Sequence, residues 1–147
     1  MPIARVPDAC SERPLAPAQR DPGPSAKSGR NAPHVRQLRA ILGTDEIALG
    51  DLMLCEVLQG LAGEREAREV EALLRRFEIV PMVGDAIAVA AAAHFRFLRR
   101  RGITIRKTIA LSIGAWCIAH RTPLLHNDGD FRPMARYLGL AELPLTA

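Results

Sequence analysis

The sequence is short of cysteine, and its three cysteines have no spacing that suits a metal site. Cys10, Cys55 and Cys117 lie far apart, and two of them fall in apolar segments. This usage indicates free thiols in a reducing cytosol rather than a disulfide framework. The sequence also lacks an apolar run of the roughly 20 residues that a membrane-spanning helix needs, and it does not start like a secretory signal. We therefore expect a cytoplasmic protein with no membrane partner.

Several common catalytic motifs are missing as well. The sequence has no glycine-rich phosphate loop, no GxSxG nucleophile motif and no Cys–His pair with a plausible geometry. Its net charge of +4 is compatible with a polyanionic partner such as nucleic acid. Charge alone does not identify that partner, so the function has to be sought in local patterns.

Proline divides the chain of 147 residues into two unlike parts. Seven of the eleven prolines fall within residues 1–33, where large aliphatic residues are sparse and show no period. Each proline removes a backbone donor and disfavours helix in the residue before it, so this segment is predicted to be disordered or irregular. Its only strand-like piece is residues 3–6, IARV, which ends at a proline. Residues 34–147 are orderly and are predicted to form one domain.

Within residues 34–147, strand-like and helix-like segments alternate. Periodicity and flanking glycines predict helices, and short apolar runs predict strands. The predicted helices are 35–42, 51–60, 64–77, 85–102, 108–120 and 130–139, and the predicted strands are 46–50, 78–82 and 122–127. Asp51, Asp85 and Asp130 are the predicted helix caps. This alternation favours an α/β fold with a mainly parallel sheet and helices on both faces.

Ligands of such folds bind beyond the carboxyl ends of the strands, and three places there carry acids or bases. Glu56 lies in an otherwise apolar helix, although it and Gln59 would also suit the solvated face of that helix. Asp128 and Asp130 follow the strand at 122–127. The alternative role for Asp130 is the helix cap, whereas Asp128 is not needed as one.

Basic and aromatic residues near these acids have ordinary interpretations too. Arg106 and Lys107, at the start of the helix at 108–120, are either solvated or candidate phosphate contacts. His126 has apolar neighbours, which favours a packed histidine over a metal ligand. These alternatives stay open on the residues alone.

Three segments, taken in order, resemble the PIN-domain family, and specifically the VapC-type toxins of bacterial toxin–antitoxin pairs. They are EIALGDLMLCEVLQGL (46–61), RGITIRKTIALSIGAWCIAH (101–120) and PLLHNDGDF (123–131). The resemblance runs from about residue 34 to residue 140. It implies a three-layer α/β/α fold around a mainly parallel sheet.

The resemblance also implies a function and partners. Family members are metal-dependent endoribonucleases that gather three or four carboxylates at the strand ends. Like charges held so close need a divalent cation, and hard oxygen ligands select Mg²⁺ or Mn²⁺. The implied site residues are Glu56 and Asp128, with Asp130 beside them. Arg106 and Lys107 become candidate RNA contacts. The implied partners are an RNA substrate, a VapB-type antitoxin and a second copy of the chain.

Two positions depart from the family pattern. The aspartate that follows RKTI in the family, a metal ligand, is replaced here by Ala110. The family also begins with a central strand that ends in an aspartate, and residues 1–33 offer only IARVPDAC, which nominates Asp8. The central first strand is thus predicted to be missing or poor. The loss of pattern before His34 resembles a shifted reading frame.

These departures predict a weakened or inactive nuclease that binds Mg²⁺ poorly. The alternative is a binding module that grips an antitoxin, a toxin partner or RNA without cutting. A third hypothesis is a non-functional product whose sheet lacks its central strand.

Overall fold

A computed structural model of the chain describes residues 3–4, 36, 40 and 47–143. Strand β1 is Ile3–Ala4, β2 is Ala48–Gly50, β3 is Glu78–Val80 and β4 is Leu124–Leu125. The helices are α1, Asp51–Gln59; α2, Glu64–Leu74; α3, Asp85–Arg99; α4, Thr108–Ala119; and α5, Arg132–Leu138. A 3₁₀ turn at Gly129–Phe131 precedes α5. Of the predicted helix at 35–42, Arg36 and Ala40 are helical, and the remainder lies outside the described residues.

The four strands form one parallel sheet in the order β3-β2-β1-β4. Helices α1 and α2 pack together, and α3 packs on α4 and α5. This arrangement confirms the prediction of a three-layer α/β/α fold with a mainly parallel sheet. Among the described residues, no helix has the length and apolar character required to cross a membrane.

Strand β1 lies between β2 and β4 in the sheet, and its described residues are Ile3 and Ala4. Ile3 pairs with Ala48 of β2 on one side and with Leu124 of β4 on the other. A first strand is therefore present at the centre of the sheet, so the prediction that it is missing is wrong, and the alternative that it is poor stays a prediction. The proposed irregular character of the rest of 1–33, and Asp8 with it, lies outside the described residues.

Helix α4 is the centre of the core. Its residues are mostly apolar, as expected for a helix that is largely buried, and its polar side chains are Thr108 and Ser112. Ala110, Leu111, Ile113, Gly114, Ala115 and Cys117 are all buried. Burial raises the pKa of the Cys117 thiol to about 12, so this cysteine is an inert packing residue.

The predicted caps of two helices are wrong. Helix α1 begins at Asp51 with Gly50 as its N-cap, and α3 begins at Asp85 with Gly84 as its N-cap. Each aspartate is thus the first helical residue. There its charge interacts favourably with the helix dipole, which explains why an acid at this position was mistaken for a cap.

The outer side of β4 is covered by residues 141–143. The Leu124 N–H donates to the Ala141 carbonyl (2.9 Å), and the Leu143 N–H donates to the Leu124 carbonyl (3.0 Å). These bonds hold the segment after α5 beside β4, and they bring Glu142 to the carboxyl end of the sheet.

Candidate active site

Asp51 joins two strand ends. Its Oδ1 atom accepts hydrogen bonds from the N–H of Leu52 (2.7 Å) and from the N–H of Met82 (3.0 Å), which follows β3. Asp51 was predicted only as a cap, and its position directly after a strand was the signal for a role at the strand ends. The observed role is structural, since the carboxylate fixes the start of α1 against the segment after β3.

Glu56 is one of two buried polar residues among those described, with 6% of its surface exposed. Gln59, three residues later, is exposed. The alternative that both share the solvated face of α1 is therefore wrong for Glu56 and right for Gln59. Glu56 is therefore a buried acid in the helix that follows β2, and its role as a site residue stays a prediction.

Asp128 is the cap of the turn after β4. Its Oδ1 atom accepts a hydrogen bond from the Asp130 N–H at 3.0 Å. The prediction that Asp130 caps the last helix is wrong, because the 3₁₀ turn begins earlier, at Gly129, and the preceding acid is in position to accept. The capping role and the candidate ligand role thus fall on the same side chain.

The other oxygen of Asp128 is paired with a base. The Lys107 ammonium lies 3.0 Å from Asp128 Oδ2, and the two side chains are 37% and 13% exposed. The interpretation of Lys107 as a merely solvated residue is therefore wrong, whereas Arg106 beside it is exposed. This ion pair connects the start of α4 to the end of β4.

Asp130 is affected by the same group of charges. Burial, and next the charge of Asp128, raise the pKa of the Asp130 carboxyl above its ordinary value, and Lys107 and Arg106 oppose that shift. The two bases predicted as phosphate contacts therefore lie near Asp130, and Lys107 also contacts Asp128.

Ala110 lies in the first turn of α4 and is completely buried. Lys107, one turn earlier, is the N-cap residue of the helix and has extended backbone angles. Alanine is the best helix former, so the helix keeps its length and packing without a carboxylate at this position. Lys107 therefore brings an ammonium group to Asp128 from the start of α4, whereas Ala110 brings no ligand.

His126 is packed, as the sequence favoured, and it is also hydrogen-bonded. Its ring lies 4.7 Å from that of Phe131, its Nδ1 accepts from the Asp128 N–H (3.2 Å), and its Nε2 lies 2.6 Å from Glu142 Oε1. Because Nδ1 accepts, Nε2 carries the hydrogen and donates to Glu142. The histidine thus orients the backbone of Asp128.

A cleft of about 570 Å³ opens at this edge of the sheet. Its lining includes Asn127, Asp128, Arg132 and Glu142. Arg132 and Glu142 were not predicted as site residues, since the sequence gives no sign that the segment after α5 returns to β4.

The described side chains do not make a complete divalent-metal site. Within residues 47–143, no three His, Cys, Asp or Glu side chains lie close enough together to hold a metal ion. A lysine is already paired with Asp128, and Ala110 offers no ligand. Mg²⁺ prefers several oxygen ligands in octahedral geometry, and this donor set falls short of that.

Comparison with known proteins identifies the class to which this fold and site belong. The PIN domain profile matches residues 27–137, which is most of the chain, and the chain therefore belongs to the PIN-domain family. The chain is 31% identical over 107 residues to the VapC ribonuclease Mb1587 of Mycobacterium bovis. It has the same identity and length of match to ribonuclease VapC11 of Mycobacterium tuberculosis. Each match covers 71% of this chain and 79% of the relative. The resemblance to VapC-type toxins is confirmed.

Proposed function

We propose that this chain is a VapC-type endoribonuclease whose cleavage of RNA is strongly weakened. The single observation that carries the proposal is the buried methyl group of Ala110 in the first turn of α4, where the family resemblance calls for a carboxylate. The match to two proteins named as ribonucleases supports the reaction class, which is hydrolysis of a phosphodiester bond in RNA.

Glu56 and Asp128 are the proposed catalytic acids, and Asp130 supports them. Arg106 and Lys107 are the proposed contacts to RNA phosphates, since both lie near the acids and carry the positive charge that a phosphate needs. Hydrolysis builds negative charge on the phosphate oxygens as water attacks phosphorus and the P–O bond breaks. Loss of one electrostatic contact to such charge costs about 10²–10³ in rate.

Mg²⁺ or Mn²⁺ is the proposed cofactor, bound weakly. Fewer carboxylates create less negative potential, and the retained acid Asp128 already has a basic partner. Asp8 remains a proposal as a fourth acid.

The direct test is cleavage of a structured RNA in Mg²⁺ or Mn²⁺ by four proteins. They are the unmodified chain, Ala110→Asp, a chain in which a strand ending in aspartate replaces residues 1–33, and the combination. We expect little or no cleavage by the first, little gain from either single change and a much larger gain from both, because ligands to one site act as a unit.

Two further variants make this test decisive. Glu56→Gln and Asp128→Asn in the combined background should abolish the restored cleavage. Robust cleavage by the unmodified chain that is lost on either substitution would overturn the proposed weakening while leaving the reaction class in place.

The proposed partners are a VapB-type antitoxin, RNA and a second copy of the chain in a homodimer. A binding module without cleavage is the second candidate, and the exposed Arg106 beside the Lys107–Asp128 pair favours it, because it offers positive charge to an anionic ligand. Binding of the chain to the antitoxin that the adjacent gene encodes, without RNA cleavage, would favour this candidate. The proposed location is the cytoplasm, where Cys55 and Cys117, both unpaired with other cysteines, would stay reduced.

A further inference from the structure

Asp128, the acid that follows β4, forms an ion pair with Lys107. Lys107 Nζ lies 3.0 Å from Asp128 Oδ2, across 21 residues of sequence. The pair is half-buried, with Asp128 only 13% exposed, so solvent and salt screen it less than a surface ion pair. This is a specific contact between the two walls of the site.

Both oxygens of Asp128 already accept hydrogen bonds. Oδ1 accepts from the Asp130 N–H and Oδ2 from the Lys107 ammonium, each at 3.0 Å. The backbone of Asp128 is held in turn by its N–H bond to His126. A metal ion that approached this carboxylate would meet a positively charged group at contact distance.

Lys107 is a lysine in a chain whose basic residues are nearly all arginines. Of the 20 basic residues, 18 are arginine and two are lysine, Lys27 and Lys107. An ammonium group is a compact point charge, unlike the planar guanidinium, whose fork suits bidentate pairing. It is the side-chain group closest in form to a bare cation.

We propose that the Lys107 ammonium is the resident cation of this site, so that a divalent ion must displace it from Asp128 in order to bind. The inference rests on the proposed function and deepens it. Two features then explain the incomplete metal site, since Ala110 removes a ligand and Lys107 neutralises a ligand that is still present. Restoration of an acid at position 110 alone would leave that competition in place.

Mn²⁺ binding, followed by electron paramagnetic resonance of the free ion, tests the competition without any cleavage assay. The proteins are Ala110→Asp alone and combined with Lys107→Met or with Arg106→Met. Both added changes remove one positive charge near the acids, but only Lys107 contacts Asp128. We expect Lys107→Met to raise Mn²⁺ affinity roughly tenfold or more, and Arg106→Met about threefold or less, because charges that are not in contact are screened. Equal effects, or no effect of Lys107→Met, would overturn the proposal.

A second measurement uses the unmodified chain and does not depend on the folding of any position-110 variant. Lysine labelled with ¹³C at Cε gives two side-chain signals, one from Lys107 and one from Lys27 as the internal reference. Asp128→Asn should shift the Lys107 signal and leave that of Lys27 in place. An unmoved Lys107 signal in a folded Asp128→Asn protein, as judged by circular dichroism, would show that the ion pair does not form.

Failure of this inference is distinguishable from failure of the proposed function. Strong RNA cleavage by the unmodified chain would overturn the weakened nuclease, whereas the lysine signal and the Mn²⁺ affinities would still report on Lys107. Conversely, metal affinities that are insensitive to Lys107 would overturn the resident cation and leave the cleavage cycle unaffected.

Discussion

The body of helix α4 and its first turn differ in their surroundings and in the side chains that they carry. From Leu111 to Cys117 the helix is mostly buried and apolar, with Ser112 and Trp116 only partly buried, as expected for a helix packed in an α/β fold. The first turn faces the carboxyl ends of the strands, where family members are expected to carry a ligand, and here it has Ala110 with Lys107 just before it. On the proposed function, the same helix keeps its packing and lacks a group on which the chemistry would depend.

This difference shows that packing and chemistry are constrained separately along a single element. Alanine satisfies every requirement of the helix, since it propagates well and fits a completely buried position. Nothing in the stability of the fold calls for an acid there. On the proposed function, the fold has persisted although its site has changed, and separate measurements of stability and of the site test that separation.

The largest expected effect is on the body of the helix. Ile113 is completely buried, so Ile113→Ala should lower the free energy of unfolding by about 2–5 kcal/mol through lost burial and an unfilled cavity. Urea unfolding followed by circular dichroism measures this, and Ile113→Val, at about 0.5–1.5 kcal/mol, is the matched control. A loss below that of the valine control would mean that the body of α4 is not the packed centre of the domain.

The next effect is at the first turn. Ala110→Asp places a carboxylate in a completely buried position and should destabilise the metal-free chain by at least about 1–3 kcal/mol, because buried polar groups without partners are costly. Thermal unfolding of this variant beside Ala110→Ser separates charge from size. A variant as stable as the unmodified chain would show that the site accommodates an acid without a metal ion.

A smaller effect is expected for the Lys107–Asp128 pair. A double-mutant cycle with Lys107→Met and Asp128→Asn should give a coupling free energy of about 0.5–1 kcal/mol, as measured for partly exposed ion pairs. The coupling should shrink in high salt, since ions screen it. A coupling free energy near zero at low salt would show that the Lys107–Asp128 ion pair does not contribute to stability.

The smallest effect concerns Asp130 and pH. Burial, with Asp128 next, raises the pKa of this carboxyl above its ordinary value of 3.8, so the folded chain holds the proton more tightly than the unfolded chain does. The contribution of this carboxyl to the stability of the folded chain is fully present below pH 3.8. It is lost as the pH rises through the pKa that the group has in the folded chain. Asp130→Asn should therefore become more stable relative to the unmodified chain as pH increases through this window, as seen in Tm measured against pH. A difference that does not change with pH would contradict the shift.

The sequence predicted the helices and strands well and their ends less well. The helix predicted to end at Gly102 stops at Arg99, and Gly102, with a φ of 75°, closes the turn that follows. Local sequence signals the presence of a helix, but its last turn depends on tertiary contacts. The sequence revealed an acid at the start of each of these helices, but it did not reveal which residue is the N-cap.

For the candidate site, the sequence nominated acids but not the partners that the structure shows for Asp128 and His126. Glu56 and Asp128 were visible because each is an acid close behind an apolar strand. The lysine on Asp128 lies 21 residues away and the contact of Glu142 with His126 spans 16 residues. Pairs so far apart along the chain leave no periodic trace, so only the fold reveals them.

The segment that covers β4 has a consequence for association. With β1 on one side and residues 141–143 on the other, β4 has no exposed edge onto which another chain could add a strand. Among the described strands, the open edge of the sheet is β3, which has three residues and begins with the exposed charged side chain of Glu78. Short, charged edges resist edge-to-edge aggregation, so the sheet is protected against amyloid-like growth at both ends.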